Sequence, residues 1–347
     1  MHDALDALDD GLDRLRGTGP EWGPGFSNHG PMAMEAMVRM GRDDAVAHWA
    51  DIYRKRLRPA IDPHDRLDGN DESDWRNALG HIDRSGDWIG LFQRQLDDQP
   101  WSLVLATWVE RLAPGVWTAA THGLIRTAHA ARSLDEADTP LRRHELAEAL
   151  GYWAARYQEA GFTPQLRGPL PVGKALAELP GLPPTAGEFL MISEVTRLLS
   201  AVDGWPASVD ALEPPMDVDD ALTDLIEAMA GLFIANPGNS PIAYCHGVTA
   251  PAALRVLLPH LPSALHRPAF DYAWQACAAI AAGYGWAPTP IVGEHQPTRS
   301  DLIDRAVDNG DEHVIKLTDA CLREHRRTPS PVYLAAAHAI SQQLQGV

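Results

Sequence analysis

The chain has 347 residues and is 45% hydrophobic, enough to bury a large core without disulfides. Its 29 Lys plus Arg against 47 Asp plus Glu leave a net charge of −18. Such a field repels phosphate backbones and acidic lipid surfaces, so it argues against nucleic acid and membrane as partners.

From the N-terminus, Met1 to Arg16 carries Asp at positions 3, 6, 9, 10 and 13, where a signal peptide needs a basic start and an apolar run. No stretch approaches the ~20 apolar residues that span a bilayer. Cys245, Cys277 and Cys321 are odd in number and form no CxxC pair, which points to reduced thiols. A cytoplasmic protein is the expectation.

Apolar residues recur at helical spacing almost throughout. Val46, Trp49, Tyr53 and Leu57 fall on one stripe, and further stripes run through Trp101 to Leu112, Leu141 to Tyr157, Val218 to Phe233, Phe270 to Tyr284, Leu302 to Val307 and Val332 to Leu344. Pro140 and Pro331 stand where first-turn prolines belong, and Asp217 and Ser300 precede helices. About a dozen helices with no period-two run predict an all-α fold. Pro288 to Val292 is the one place for a short strand. Pro164, Pro169, Pro171, Pro180, Pro183 and Pro184 block helix continuation across 161–187. The expected organisation is one domain over 1–347, with a front half 1–160, a Pro-rich connection 161–187 and a back half 188–347. The connection reads equally as a linker or as the wall of a cavity.

Three His-Gly pairs echo one another: Asn28-His29-Gly30, Thr121-His122-Gly123 and Cys245-His246-Gly247. Each is followed by an apolar, helix-forming segment, and glycine beside the histidine permits close backbone approach. A buried imidazole needs partners for both nitrogens. A metal could supply one, and so could a backbone carbonyl, and the residues alone leave both readings open. His129 follows His122 by seven residues and projects from the same face of a continuous helix, as a ligand, a base or a core histidine. In Asp311-Glu312-His313-Val314-Ile315-Lys316, His313 and Lys316 are helical neighbours, and Lys316 is one of only three lysines, with Lys55 and Lys174. A buried amine can be neutral and can take up carbon dioxide as a carbamate. Spacing alone favours an ordinary surface ion pair between Glu312 and Lys316.

Gly80-His81-Ile82-Asp83 contains an H-x-D of the facial-triad kind, in a polar stretch where chance explains it better. There is no GxGxxG after a strand, no P-loop and no HExxH. Trp101, Trp108, Trp117, Phe189 and Trp274 could line an aromatic pocket, although such stripes more often form core.

With these residues laid out, the chain resembles the questin oxidase-like family. The matching stretches are FSNHGPMAMEAM from Phe26, TAATHGLIRTAHAAR from Thr118, YCHGVTAPAALRVLLPHL from Tyr244 and DEHVIKLTDACLRE from Asp311. The resemblance implies oxidative chemistry on an aromatic polyketide with O2, either ring cleavage of an anthraquinone or hydroquinone, or a Baeyer–Villiger-type step using NADPH. It also implies non-haem Fe(II) held by four histidines and a carboxylated lysine. Carried over, the ligands are His29, His122, His246, His313 and Lys316, with His129 as catalytic base and as the competitor of His313 for the fourth histidine position. A non-catalytic helical protein that binds an aromatic metabolite is the remaining alternative.

Overall fold

The computed structural model describes residues 2–182, 191–293 and 296–346. Among them are seventeen α-helices and one small sheet, so the fold is all-α. No helix among the described residues is long and apolar enough to cross a membrane. The chain divides into two compact units: Met1–Gln158 with Val256–Pro262, and Glu159–Arg255 with Ser263–Val347.

The first unit contains α1 (His2–Arg14), α2 (Gly30–Met40), α3 (Asp43–Tyr53), α4 (Glu72–Ala78), α5 (Ser85–Asp98), α6 (Trp101–Leu112), α7 (His122–Glu136) and α8 (Pro140–Ala155). Its strands, β1 (Thr18–Trp22), β2 (Phe26–Ser27) and β3 (Leu57–Pro59), form an antiparallel sheet in the order β2-β1-β3. This sheet was not expected. Strands of five, two and three residues are too short to show an alternation, and Leu57, assigned above to a helical stripe, opens β3.

Aromatic packing joins the helices of this unit. Trp88 and Phe92 of α5 meet Trp108 of α6 edge-on, with centroids 5.5 and 4.9 Å apart, the arrangement that ring quadrupoles favour. Between α7 and α8 the buried Arg126 guanidinium donates to both Glu145 oxygens at 2.7 Å and to Glu148 at 2.6 Å. A carboxylate facing a planar fork in a dry setting fixes the register of two helices, and removing one partner would strand the other charge.

The second unit contains α9 (Val172–Ala177), α10 (Ile192–Leu199), α11 (Trp205–Val209), α12 (Val218–Ala235), α13 (Pro241–Leu257), α14 (Ser263–Tyr284), α15 (Arg299–Asn309), α16 (Glu312–Arg327) and α17 (Pro331–Gln343). Of these, α13 passes into the first unit at its last turn. Helix α17 packs on α16 and α12, and α14 packs on α10 and α12. Asp217 caps α12 as expected, accepting from the amides of Asp219 and Asp220. Helix α15 begins earlier than Ser300, because Thr298 and Asp301 form a reciprocal capping box. Pro288 to Val292 forms no strand. The Pro-rich connection is not bare loop: Pro171 opens α9, and Leu170 bridges to Leu212. Its part from 183 to 187 lies outside the described residues.

Candidate metal centre

In the first unit the small sheet and the start of α2 place His29. The Asn28 amide group donates to Gly19 O at 3.1 Å, and its Oδ1 accepts from the Gly30 amide at 2.9 Å, doing the work of a helix cap. The His29 amide donates to the Tyr53 hydroxyl at 2.7 Å. The loop is thereby tied to β1 and α3, and His29 is buried at the N-terminal end of α2.

His122 opens α7 by an unusual route. Ala119, Ala120 and Thr121 have φ of +47°, +57° and +70°, a left-handed run that costs roughly 1–2 kcal/mol per L-residue. The turn brings the Ala119 carbonyl to the His122 ring, 2.5 Å from Nδ1. A carbonyl only accepts, so Nδ1 carries a proton, and in the neutral ring Nε2 carries the lone pair. That Nε2 lies 2.5 Å from Nε2 of His29, both rings being buried. Two imidazole lone pairs at this separation repel unless a proton or a cation lies between them.

His129, two turns along α7, is held differently. Its Nδ1 lies 2.7 Å from Glu35 Oε2, and Arg132 Nε donates to Glu35 Oε1 at 2.7 Å. Burial alone would push the Glu35 carboxyl up, but the Arg132 charge and the His129 hydrogen bond bring it down to about 2.

In the second unit His246, inside α13, and His313, in the first turn of α16, stack with centroids 5.7 Å apart and planes at 27°. Both are buried. His313 Nδ1 lies 3.3 Å from Asp311 Oδ1, the oxygen that also caps α16 through the amides of His313 and Val314. Although burial opposes it, this partner and these amides hold the Asp311 carboxyl below the usual range. A carboxylate on the far side of a ring is how ligating histidines are commonly oriented.

Lys316 is 1% exposed, so the surface ion pair favoured by spacing is corrected: Glu312 and Lys316 are both buried. Burial pushes the amine down, opposed by Cys245, Glu312 and Asp311, and its Nζ makes no hydrogen bond among the described residues. A nitrogen so placed suits a modification or a ligand better than an ammonium. The neighbouring Cys245 thiol is pushed up to about 12 by burial, with Lys316 opposing. All three cysteines are buried and free.

The glycines of the three His-Gly pairs all stand close to a neighbouring side chain. A Cβ on Gly30 would meet Leu15 at 2.4 Å, on Gly123 would meet Trp153 at 2.5 Å, and on Gly247 would meet Met229 at 2.3 Å. At Gly123 the obstacle is the rigid Trp153 ring, whereas the Leu15 and Met229 atoms are the ends of flexible side chains that can yield. Three buried histidines, His29 and His122 of the first unit and His313 of the second, are of the kind that could hold a metal ion.

The Questin oxidase-like family model matches residues 26–321, most of the chain. The chain belongs to the Questin oxidase-like family. No curated protein matches it. Membership supports an oxidoreductase of oxidase or oxygenase type, with a small-molecule substrate of polyketide type. Every His-Gly pair and the Asp311–Lys316 segment lie within the matched span.

Two features of this Questin oxidase-like chain were missed in the sequence. The Ala119 carbonyl carries no side-chain signal, and Asp311 looks like a helix cap and nothing more. Other candidates fall away from any site. His81 and Asp83 are exposed. Trp108, Trp117 and Trp274 are fully buried core, and Trp274 donates to Val209 O at 2.9 Å. Trp101 packs against His260, and Phe189 lies outside the described residues.

Proposed function

We propose that this Questin oxidase-like protein is a non-haem iron oxygenase that cleaves the ring of an anthraquinone- or hydroquinone-type polyketide with O2. The proposed ligands are His29, His122, His246, His313 and Lys316 as its carbamate. The observation that carries the reading is the buried His29–His122 pair, Nε2 to Nε2 at 2.5 Å, with the second ring's proton committed to Ala119. An uncharged donor set of imidazoles with one anionic oxygen suits a divalent first-row metal. Bound there, Fe(II) would supply the one-electron chemistry that lets dioxygen react with an electron-rich ring.

The chain's own residues do the rest. Ala119 and Asp311 hold the rings of His122 and His313 through Nδ1. The buried Lys316 amine takes up carbon dioxide, forming an N–C bond and releasing one proton, which converts a neutral nitrogen into a carboxylate-like oxygen donor. His129, held by Glu35, is the group that accepts a proton from a phenolic substrate.

Metal analysis of freshly purified protein tests the proposal, with about one iron per chain expected and its loss in His122→Ala. Turnover of a reduced anthraquinone should need iron and O2 alone. An absolute requirement for NADPH would instead favour a Baeyer–Villiger monooxygenase. Only traces of iron, with the His122→Ala protein fully active, would end the metal reading.

A further inference from the structure

We infer that the left-handed turn Ala119–Thr121 is a positioning device for His122, folding the Ala119 carbonyl back to hold the ring in one tautomer and one direction. Its purpose rests on the metal reading above, and its action rests on the turn's own geometry.

Three successive L-residues with positive φ are a poor use of the backbone. Glycine, or singly asparagine, takes such angles with little strain, and here the positions are Ala, Ala and a β-branched Thr. Thr121 compounds the anomaly. It stands at the N-cap of α7, where an extended residue would let its hydroxyl accept from the helix amides. At φ +70° and ψ +3° it makes no side-chain cap. Its Oγ1 is buried without a hydrogen bond among the described residues. The sequence therefore forgoes a cap and accepts a strained turn at one point.

The return is visible in the hydrogen bonds. The turn folds the Ala119 carbonyl back so that it accepts from the His122 amide at 3.3 Å and from Nδ1–H at 2.5 Å. Ring and main chain share one acceptor, so the imidazole can neither flip nor move its proton to Nε2 without losing it. Strain of this kind persists where packing over-determines it, and it gathers at functional sites. Trp117 and Thr118, fully buried just before the turn, and Gly123 against Trp153 just after it, supply that packing.

The test uses the full chain carrying Thr121→Asn, which accepts positive φ, and separately Ala120→Val, which resists it. In the metal-free proteins, thermal midpoints and the ¹⁵N shifts of the labelled His122 ring are read, followed by Fe(II) titration under anaerobic conditions. Wild type should show a single Nδ1–H tautomer. The Asn variant should keep the single Nδ1–H tautomer with a midpoint raised by roughly 2–4 °C, whereas Ala120→Val should show mixed tautomers and bind Fe(II) about tenfold more weakly. An unchanged tautomer in Ala120→Val, or mixed tautomers in Thr121→Asn, would overturn the inference. So would Fe(II) affinity in Ala120→Val equal to that of wild type. Wild-type protein that takes up no Fe(II) would sink the metal reading instead, while the tautomer and the midpoints still judge the turn.

Discussion

Glu35 shows what a single buried carboxylate does for this fold. It accepts from Arg132 and from His129 with almost no contact with water. Its pKa falls from 4.5 to about 2 despite burial, because the Arg132 charge and the His129 bond prevail. The unfolded chain therefore binds the proton more readily. Stability from this group is present above the unfolded value and is lost as pH falls from 4.5 toward 2. Glu35→Gln should lower the stability at pH 7 by roughly 3–5 kcal/mol, since Arg132 loses its carboxylate. It should also flatten the acid limb, which urea midpoints at pH 7 and pH 3 would reveal. Lys316 calls for the opposite prediction. Replacing a buried amine that makes no hydrogen bond by methionine removes a desolvated polar group, so Lys316→Met should keep or raise the melting temperature. The same variant should lose its iron. Full iron content would remove Lys316 from the ligand set. At this scale His29, His122 and His246 drew notice because glycine follows each one, and all three are buried, whereas spacing set Lys316 in a surface ion pair and only the family resemblance pointed it toward a metal. The partners that orient the rings were hidden, one being a main-chain carbonyl and the other a routine cap.

Among the elements, α7 carries the most, with His122 at its start, Arg126 against α8 and His129 beside Glu35. Gly123→Ala would drive a methyl group into Trp153, 2.5 Å away and itself buried. Overpacking of this kind is expected to destabilise by roughly 1–3 kcal/mol, measurable as a lowered thermal midpoint. The long stripes at Trp101–Leu112 and Val218–Phe233 were readable because a buried helix face repeats over several turns. The sheet was not, since two- and three-residue strands leave no period to detect. Nor was the turn at Ala119–Thr121, because its residues carry none of the Gly or Asn that announce a positive φ. The Pro-rich connection hid α9 for a related reason. A proline that ends one element can begin the next, as Pro171 does.

At the scale of the molecule, the surplus of acidic residues sets a self-repulsion that salt should relieve. With a net charge of −18, the melting temperature should rise between 10 mM and 150 mM NaCl, as the Debye length shrinks from about 30 Å to about 8 Å. A flat response would mean that the ion pairs already balance the field locally. The first unit also has a property that bears on how the protein is made. It draws on Met1–Gln158 and again on Val256–Pro262, the segment where His260 packs on Trp101 and reaches Asp135 at 3.1 Å. A nascent polypeptide that has emerged only as far as Gln158 thus lacks a piece of its own first folding body. That body must wait, open to chaperones and proteases, until the ribosome has added about a hundred residues more.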